Sequence, residues 1–147
     1  MTPGQWTSVL HFTVGGNNGK LGDRIPAFFF YGNGLYPSTA LNNVHNYYFD
    51  YKNFPLNAWV DIRVMYFKTG STYRYKVDID GKEVKNVENK NPQEYKNVKV
   101  YASDSWYPPF KGMIRDLKVV LGETSTYIFI SFHLLPVIVT LKLCNSD

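Results

Sequence analysis

The chain reads as an all-β protein, an antiparallel β-sandwich of the jelly-roll kind, and three observations predict it. Apolar residues recur with a period of two in one run after another, turn formers separate the runs at short intervals, and no stretch carries the helical period. Aromatic residues are 17% of the 147, with Tyr and Phe far outnumbering Trp. Together with the plentiful Val, Ile and Thr they suit half-buried pleated surfaces. A chain of this length buries an adequate core as one domain without disulfides or a metal.

The clearest stretch runs from Ala58 to Val87. Val60, Ile62, Val64 and Tyr66 share one face of a strand, and Asp61, Arg63 and Met65 take the other. Lys68-Thr69-Gly70-Ser71 then turns the chain, and Tyr73, Tyr75, Val77 and Ile79 resume the alternation. Asp80-Gly81 favours a tight turn with positive φ at both central residues, so Glu83 to Val87 returns along the same sheet.

The other elements follow in order. Trp6 to Val14 alternates as a first strand, and a long glycine-rich surface loop, GGNNGKLGDRIP, comes after it. Ala27 to Tyr31, AFFFY, is short and wholly apolar, as a buried central strand is. Pro37, Ser38 and paired asparagines punctuate the segment to Asn43, and HNYYFDY resumes as a strand with Tyr47, Phe49 and Tyr51 on one face. Beyond the polar connection at Asn89 to Glu94, Val98, Val100 and Ala102 alternate. Gly112 opens GMIRDLKVVL, whose Ile114 and Leu117 stay in phase only with a bulge near Arg115-Asp116. Eight or so short strands result.

Thr126 onward, TYIFISFHLLPVIVTLKLC, is almost wholly apolar and breaks with this pattern. Its uninterrupted part is shorter than the roughly 20 residues of a membrane helix. Three readings stay open: a last buried strand, a membrane-associated tail, or a terminus foreign to the domain. The expected division is a sandwich over residues 1–123, incomplete at its N-terminus, and an apolar tail over 124–147. The alternating strands are complete by Val120, so the domain is expected to fold without the segment after Glu123.

A net charge of +4 with dispersed lysines gives no reason to expect nucleic acid as a partner. The single cysteine, Cys144, excludes a disulfide framework, and His11, His45 and His133 have no partner at metal-ligand spacing. Met1-Thr-Pro-Gly-Gln-Trp has neither the charged nor the apolar region of a secretion signal. The histidines read as strand residues.

The ordered set W-x-x-I-R-V at Trp59 to Val64, Y-x-Y-x-V-D-I-D-G-K-x-V at Tyr73 to Val84, N-V-K-V-Y-A-S-D at Asn97 to Asp104 and G-M-I-R-D-L-K-V at Gly112 to Val119 resembles the concanavalin A-like lectin superfamily, with laminin G-like and pentraxin-like modules nearest. The resemblance spans about Ser8 to Val120. It implies an extracellular, lectin-like module that binds a glycan, a glycoprotein or another protein, often with calcium. Membrane contact would come only through the tail.

Two loops carry candidate binding groups. Asn17, Asn18, Asp23 and Arg24 place amides, a carboxylate and a guanidinium on a glycine-rich backbone, and Asp104 with Trp106 and Tyr107 adds aromatic faces for a sugar ring. The plainer reading is that the asparagines and glycines make turns while Trp106 and Tyr107 cover the end of the sandwich. Calcium has two conceivable carboxylates, Asp23 and Asp104, too few for a tight site, so no cofactor is expected. Glucanases of the superfamily carry Glu-x-Asp-x-x-Glu on one strand, and Asp78, Asp80 and Glu83 match that spacing. Asp80-Gly81 reads as a turn that carries Glu83 to the next strand, so no enzyme is expected. The leading expectation is carbohydrate or glycoprotein recognition through sandwich-end loops, the second a protein-interaction or adhesion module, and the third a glucanase-type hydrolase.

Overall fold

In the computed structural model the described residues are 4–55, 57–120 and 137–145. They form ten strands and no helix: β1 Trp6–Thr13, β2 Ala27–Tyr31, β3 Gly34–Leu41, β4 Val44–Tyr48, β5 Trp59–Thr69, β6 Thr72–Ile79, β7 Lys82–Glu88, β8 Lys99–Ala102, β9 Gly112–Val120 and β10 Val137–Asn145. The chain divides into two compact units, Met1–Asn57 with Asn97–Gly112 and Asn145–Asp147, and Ala58–Lys96 with Met113–Cys144. Each unit is built on one five-stranded sheet, ordered β4-β3-β2-β1-β8 in the first and β7-β6-β5-β10-β9 in the second.

In the first unit, local turn chemistry sets the hairpins. Gly32 takes φ 59° between β2 and β3, and Asn42 and Asn43 take φ 53° and 65° between β3 and β4. Asparagine tolerates this left-handed region better than most residues, and Leu41 pairs with Val44 across the two-residue turn. β3 is a strand that the sequence does not announce, because Pro37 lies inside it. The Pro37 carbonyl accepts from Phe49 N–H, so its missing donor also faces the β4 side, just past the end of β4. No bond between paired strand residues is lost there. The strand expected over HNYYFDY is correspondingly shorter, and Tyr51 returns only as an isolated bridge to Leu35.

Core residues of this unit come from β1, β2 and β3. Leu10, Phe28, Phe30 and Leu35 are at most 1% exposed, and each such side chain contributes roughly 1.5–3 kcal/mol. Phe30 stacks on Phe110 at 4.7 Å and meets Phe54 edge-on at 4.9 Å. β8 closes one edge and is exposed throughout.

The second unit follows the period-two reading closely. β5 alternates between exposed and buried positions, with Val60, Ile62, Val64 and Tyr66 inside. Ile62 pairs with Ile79, Val64 with Val77 and Tyr66 with Tyr75, so the two strands present one apolar face. Asp80 and Gly81 take φ 50° and 76°, as a turn with two left-handed residues requires. In β9, Asp116 takes φ 54° at the place where the sequence phase breaks.

Val137–Asn145 lies beyond Val120, where the alternating pattern suggests that the strands are complete, yet it is the strand between β5 and β9. Its backbone runs antiparallel to β5, with Val137 opposite Tyr66 and Cys144 opposite Trp59. Residues 124–136 lie outside the described residues. Ending the chain at Glu123 removes the shared neighbour of β5 and β9 and leaves the β5 edge unpaired. Such a truncation is expected to lose the cooperative thermal transition followed by circular dichroism. A retained sharp transition would mean that the sheet closes without β10.

Candidate functional site

The loop after β1 is built around one carboxylate. Asp23 Oδ2 accepts from Gly19 N–H at 2.6 Å and Lys20 N–H at 3.0 Å, and Asp23 N–H returns a bond to the Lys20 carbonyl. Thr13 Oγ1 accepts from Gly15 N–H and donates to the Gly16 carbonyl. Gly16 passes so close to Asp23 that a Cβ there would run into the carboxylate. Six polar and glycine residues thus make a fixed loop, which presents Asn17 and Asn18.

A second loop is tied to the same sheet by Asp104. Its Oδ2 accepts from Ser8 Oγ at 2.8 Å and meets His11 Nδ1 at 2.7 Å, while Oδ1 accepts from the backbone N–H groups of Trp106 and Tyr107. Burial pushes the Asp104 pKa up, but the bonds from His11, Ser8 and the two N–H groups outweigh that and hold it below its ordinary value. His11 Nε2 lies 2.6 Å from the Asp23 carbonyl. The ring is thus held at both of its nitrogens. His11 therefore joins the Asp23 loop to the Asp104 loop.

Between these loops and strands β1 to β4 lies a pocket of ≈ 220 Å³. Trp6, Tyr36, Tyr48 and Tyr107 supply aromatic wall, and Asn18, Ser38 and Asn46 supply neutral polar groups. Trp6 meets Tyr36 edge-on at 4.8 Å, and Tyr36 lies 6.2 Å from Tyr48. The Tyr36 hydroxyl, hydrogen-bonded to Asp50, has its pKa pushed up by burial and by that carboxylate.

Arg24 is the one formally charged residue in the lining. It is 6% exposed, with its guanidinium 4.4 Å from the Phe29 ring centre. Nε donates to the Asn17 carbonyl, Nη1 to Asn46 Oδ1 at 2.6 Å, and Nη2 to Asn17 Oδ1 and the Tyr107 hydroxyl. Burial lowers its pKa, while Tyr107, Asp104 and Asp23 favour the charged form. No carboxylate among the described residues comes within ion-pair distance of it.

Of the residues singled out in the sequence, Asn18, Arg24 and Tyr107 line this pocket, and Asn17 holds Arg24 from behind. Asp23 and Asp104 are buried organisers of the two loops. Trp106 is absent from the lining and packs on His11 and Tyr101 at 5.3 and 6.3 Å. Trp6, Phe29, Tyr36, Ser38, Asn46 and Tyr48 complete the lining without having been singled out. Tyr36 with Ser38 and Asn46 with Tyr48 each show the two-residue spacing of one strand face, a signal that Pro37 conceals.

The glucanase-like carboxylates do not share one strand: Asp78 lies on β6 opposite Glu83 of β7. Asp80 sits in the turn with its Oδ1 accepting from Asp61 N–H, Glu83 is on β7, and Lys76 bridges Asp78 and Glu83 at 3.2 Å to each. No group of three or more His, Cys, Asp or Glu side chains suited to a metal occurs among the described residues. Comparison with protein-family models, with curated proteins and with solved structures returns no match for this chain.

Two predictions follow from the loop anchors. The lowered Asp104 pKa stabilises the fold above the ordinary carboxylate value of 3.8, and that contribution is lost as pH falls through the folded value. Asp104→Ala leaves His11, Ser8 and two backbone donors without their acceptor and should cost on the order of 3–5 kcal/mol in chemical denaturation at pH 7. The variant's loss should shrink as the pH falls below the ordinary carboxylate range; a pH-independent loss would remove the carboxylate from the account. Millimolar calcium should leave the melting temperature unchanged, because both Asp104 oxygens already face donors. A rise of several degrees that Asp23→Asn abolishes would instead identify a calcium site in the first loop.

Proposed function

We propose that this chain is a non-catalytic binding module, a jelly-roll sandwich of the concanavalin A-like kind, that takes a carbohydrate into the Arg24 pocket, either free or on a glycoprotein. The observation that supports this reading is the pairing of accessible aromatic faces with fixed planar polar groups in one small concavity. Trp6 is 38% exposed and Tyr48 is 56% exposed, beside the amides of Asn18 and Asn46 and the guanidinium of Arg24. A pyranose has an apolar C–H face, which a ring accepts, and an edge of hydroxyls, which amides and guanidinium bond in defined directions. The volume of ≈ 220 Å³ lies below the roughly 300–1,000 Å³ of a drug-sized site and suits a single sugar residue.

The preformed loops favour binding as well, since ordering them on contact would consume part of the interaction energy. An extracellular setting accompanies the lectin-like resemblance. A glycan array carried out with and without calcium is expected to show binding to a restricted set of glycans. Trp6→Ala and Tyr48→Ala should each weaken it several-fold, in line with about 1 kcal/mol per lost ring contact. A blank array would leave a protein-interaction module without sugar binding as the reading to pursue.

A further inference from the structure

We infer that the sugar recognised in this pocket is acidic, its carboxylate pairing with Arg24. The inference rests on the carbohydrate reading and goes beyond it by naming the class of sugar. A guanidinium has five N–H donors. Arg24 uses one on Nε, one on Nη1 and two on Nη2, which leaves the second Nη1 hydrogen without a partner among the described residues. The group is more than nine-tenths buried and lines an open pocket. Its four bonds all go to neutral acceptors, and no carboxylate pairs with it.

A buried cation is costly to hold without a counter-charge, and neighbouring carboxylates normally supply one. Here neither of the nearer carboxylates pairs with it. Asp104 is bound by Ser8, His11 and two backbone donors, and Asp23 Oδ2 by Gly19 and Lys20 N–H, while Asp23 Oδ1 is buried without a hydrogen-bond partner and makes no ion pair with Arg24. Asp50, at the Tyr36 hydroxyl, is not among the lining residues. The pocket therefore presents a guanidinium with no ion-pair partner among the described residues to whatever enters it.

The neutral groups fit the same ligand. The Asn18 side chain and the Asn46 Nδ2 make no hydrogen bond to the described residues, so amide donors stand beside the free Nη1 hydrogen. A planar carboxylate with two oxygens suits this small set of donors better than a tetrahedral sulfate with three. The aromatic walls favour a sugar acid over an acidic peptide, because they offer faces for a ring. Charge-assisted pairing in a partly desolvated pocket should make the acid on the order of tenfold to a hundredfold tighter than its neutral counterpart.

The test uses the whole chain and a panel of glycans ending in glucuronate, galacturonate or N-acetylneuraminate, each paired with its methyl ester and with neutral and sulfated glycans of matching linkage. Binding of one or more acids, reduced at least tenfold by esterification and weakened by added salt, is the expected result. Equal binding of acid and ester, or a preference for sulfated over carboxylated glycans, overturns the inference and leaves the carbohydrate reading standing. Binding of no glycan at all removes both, and titration with acidic peptides then shows whether the cation serves a protein partner. Arg24→Met should bring each acid and its methyl ester to equal affinity. The comparison of acid with ester on the unaltered protein decides the matter even if that variant fails to fold.

Discussion

A buried imidazole–carboxylate pair, His11 with Asp104, ties together the parts of the first unit that are far apart in the chain. The two side chains are fully buried, 2.7 Å apart, and 93 residues separate them in sequence. The carboxylate also takes a hydroxyl and two backbone N–H groups, and the imidazole also meets the Asp23 carbonyl. A low-dielectric interior strengthens each of these bonds and makes each unpaired member expensive, so the cluster has a single good arrangement. Both loops that flank the pocket are held by it.

What that arrangement fixes is the position of Arg24 and Tyr107. Arg24 directly follows Asp23, and Tyr107 follows Asp104 by three residues, so each pocket residue is close in sequence to an anchoring carboxylate. Their own contact, Nη2 to the Tyr107 hydroxyl at 3.4 Å, is long and adds little. The anchors do the positioning, and the pocket groups remain available to a ligand. Phe29 connects the two sets: its ring meets His11 at 5.7 Å, Tyr107 at 5.3 Å and the Arg24 guanidinium at 4.4 Å.

The second unit shows a different economy. Its strands β5, β6 and β7 follow one another directly in the chain, β5 alternates between buried and exposed positions, and polar contacts join neighbouring positions on β6 and β7, such as Lys76 with Asp78 and Glu83. That ion pair raises the Lys76 pKa through bonds to Asp78 and then Glu83, yet an exposed pair of this sort contributes little to stability. The fold of this unit depends on apolar pairing across β5 and β6 instead.

The sequence by itself determined the all-β class, the β5–β6–β7 meander to within a residue or two, the buried run at β2 and the left-handed turn at Asp80-Gly81. Each of these rests on contacts between residues close in the chain, where side-chain period and turn chemistry are visible one window at a time. Only the tertiary structure decided that β3 exists despite Pro37, since this depends on which neighbour its missing donor faces. It alone placed Val137–Asn145 inside a sheet, because hydrophobicity does not specify a partner strand. It also divided the singled-out polar residues into pocket groups and anchors: Asn18, Arg24 and Tyr107 face the cavity, while Asp23 and Asp104 bond inward to His11 and to backbone donors. That division is set by pairs up to 96 residues apart, and nothing local to either loop distinguishes a carboxylate that will bind a ligand from one that will hold a histidine.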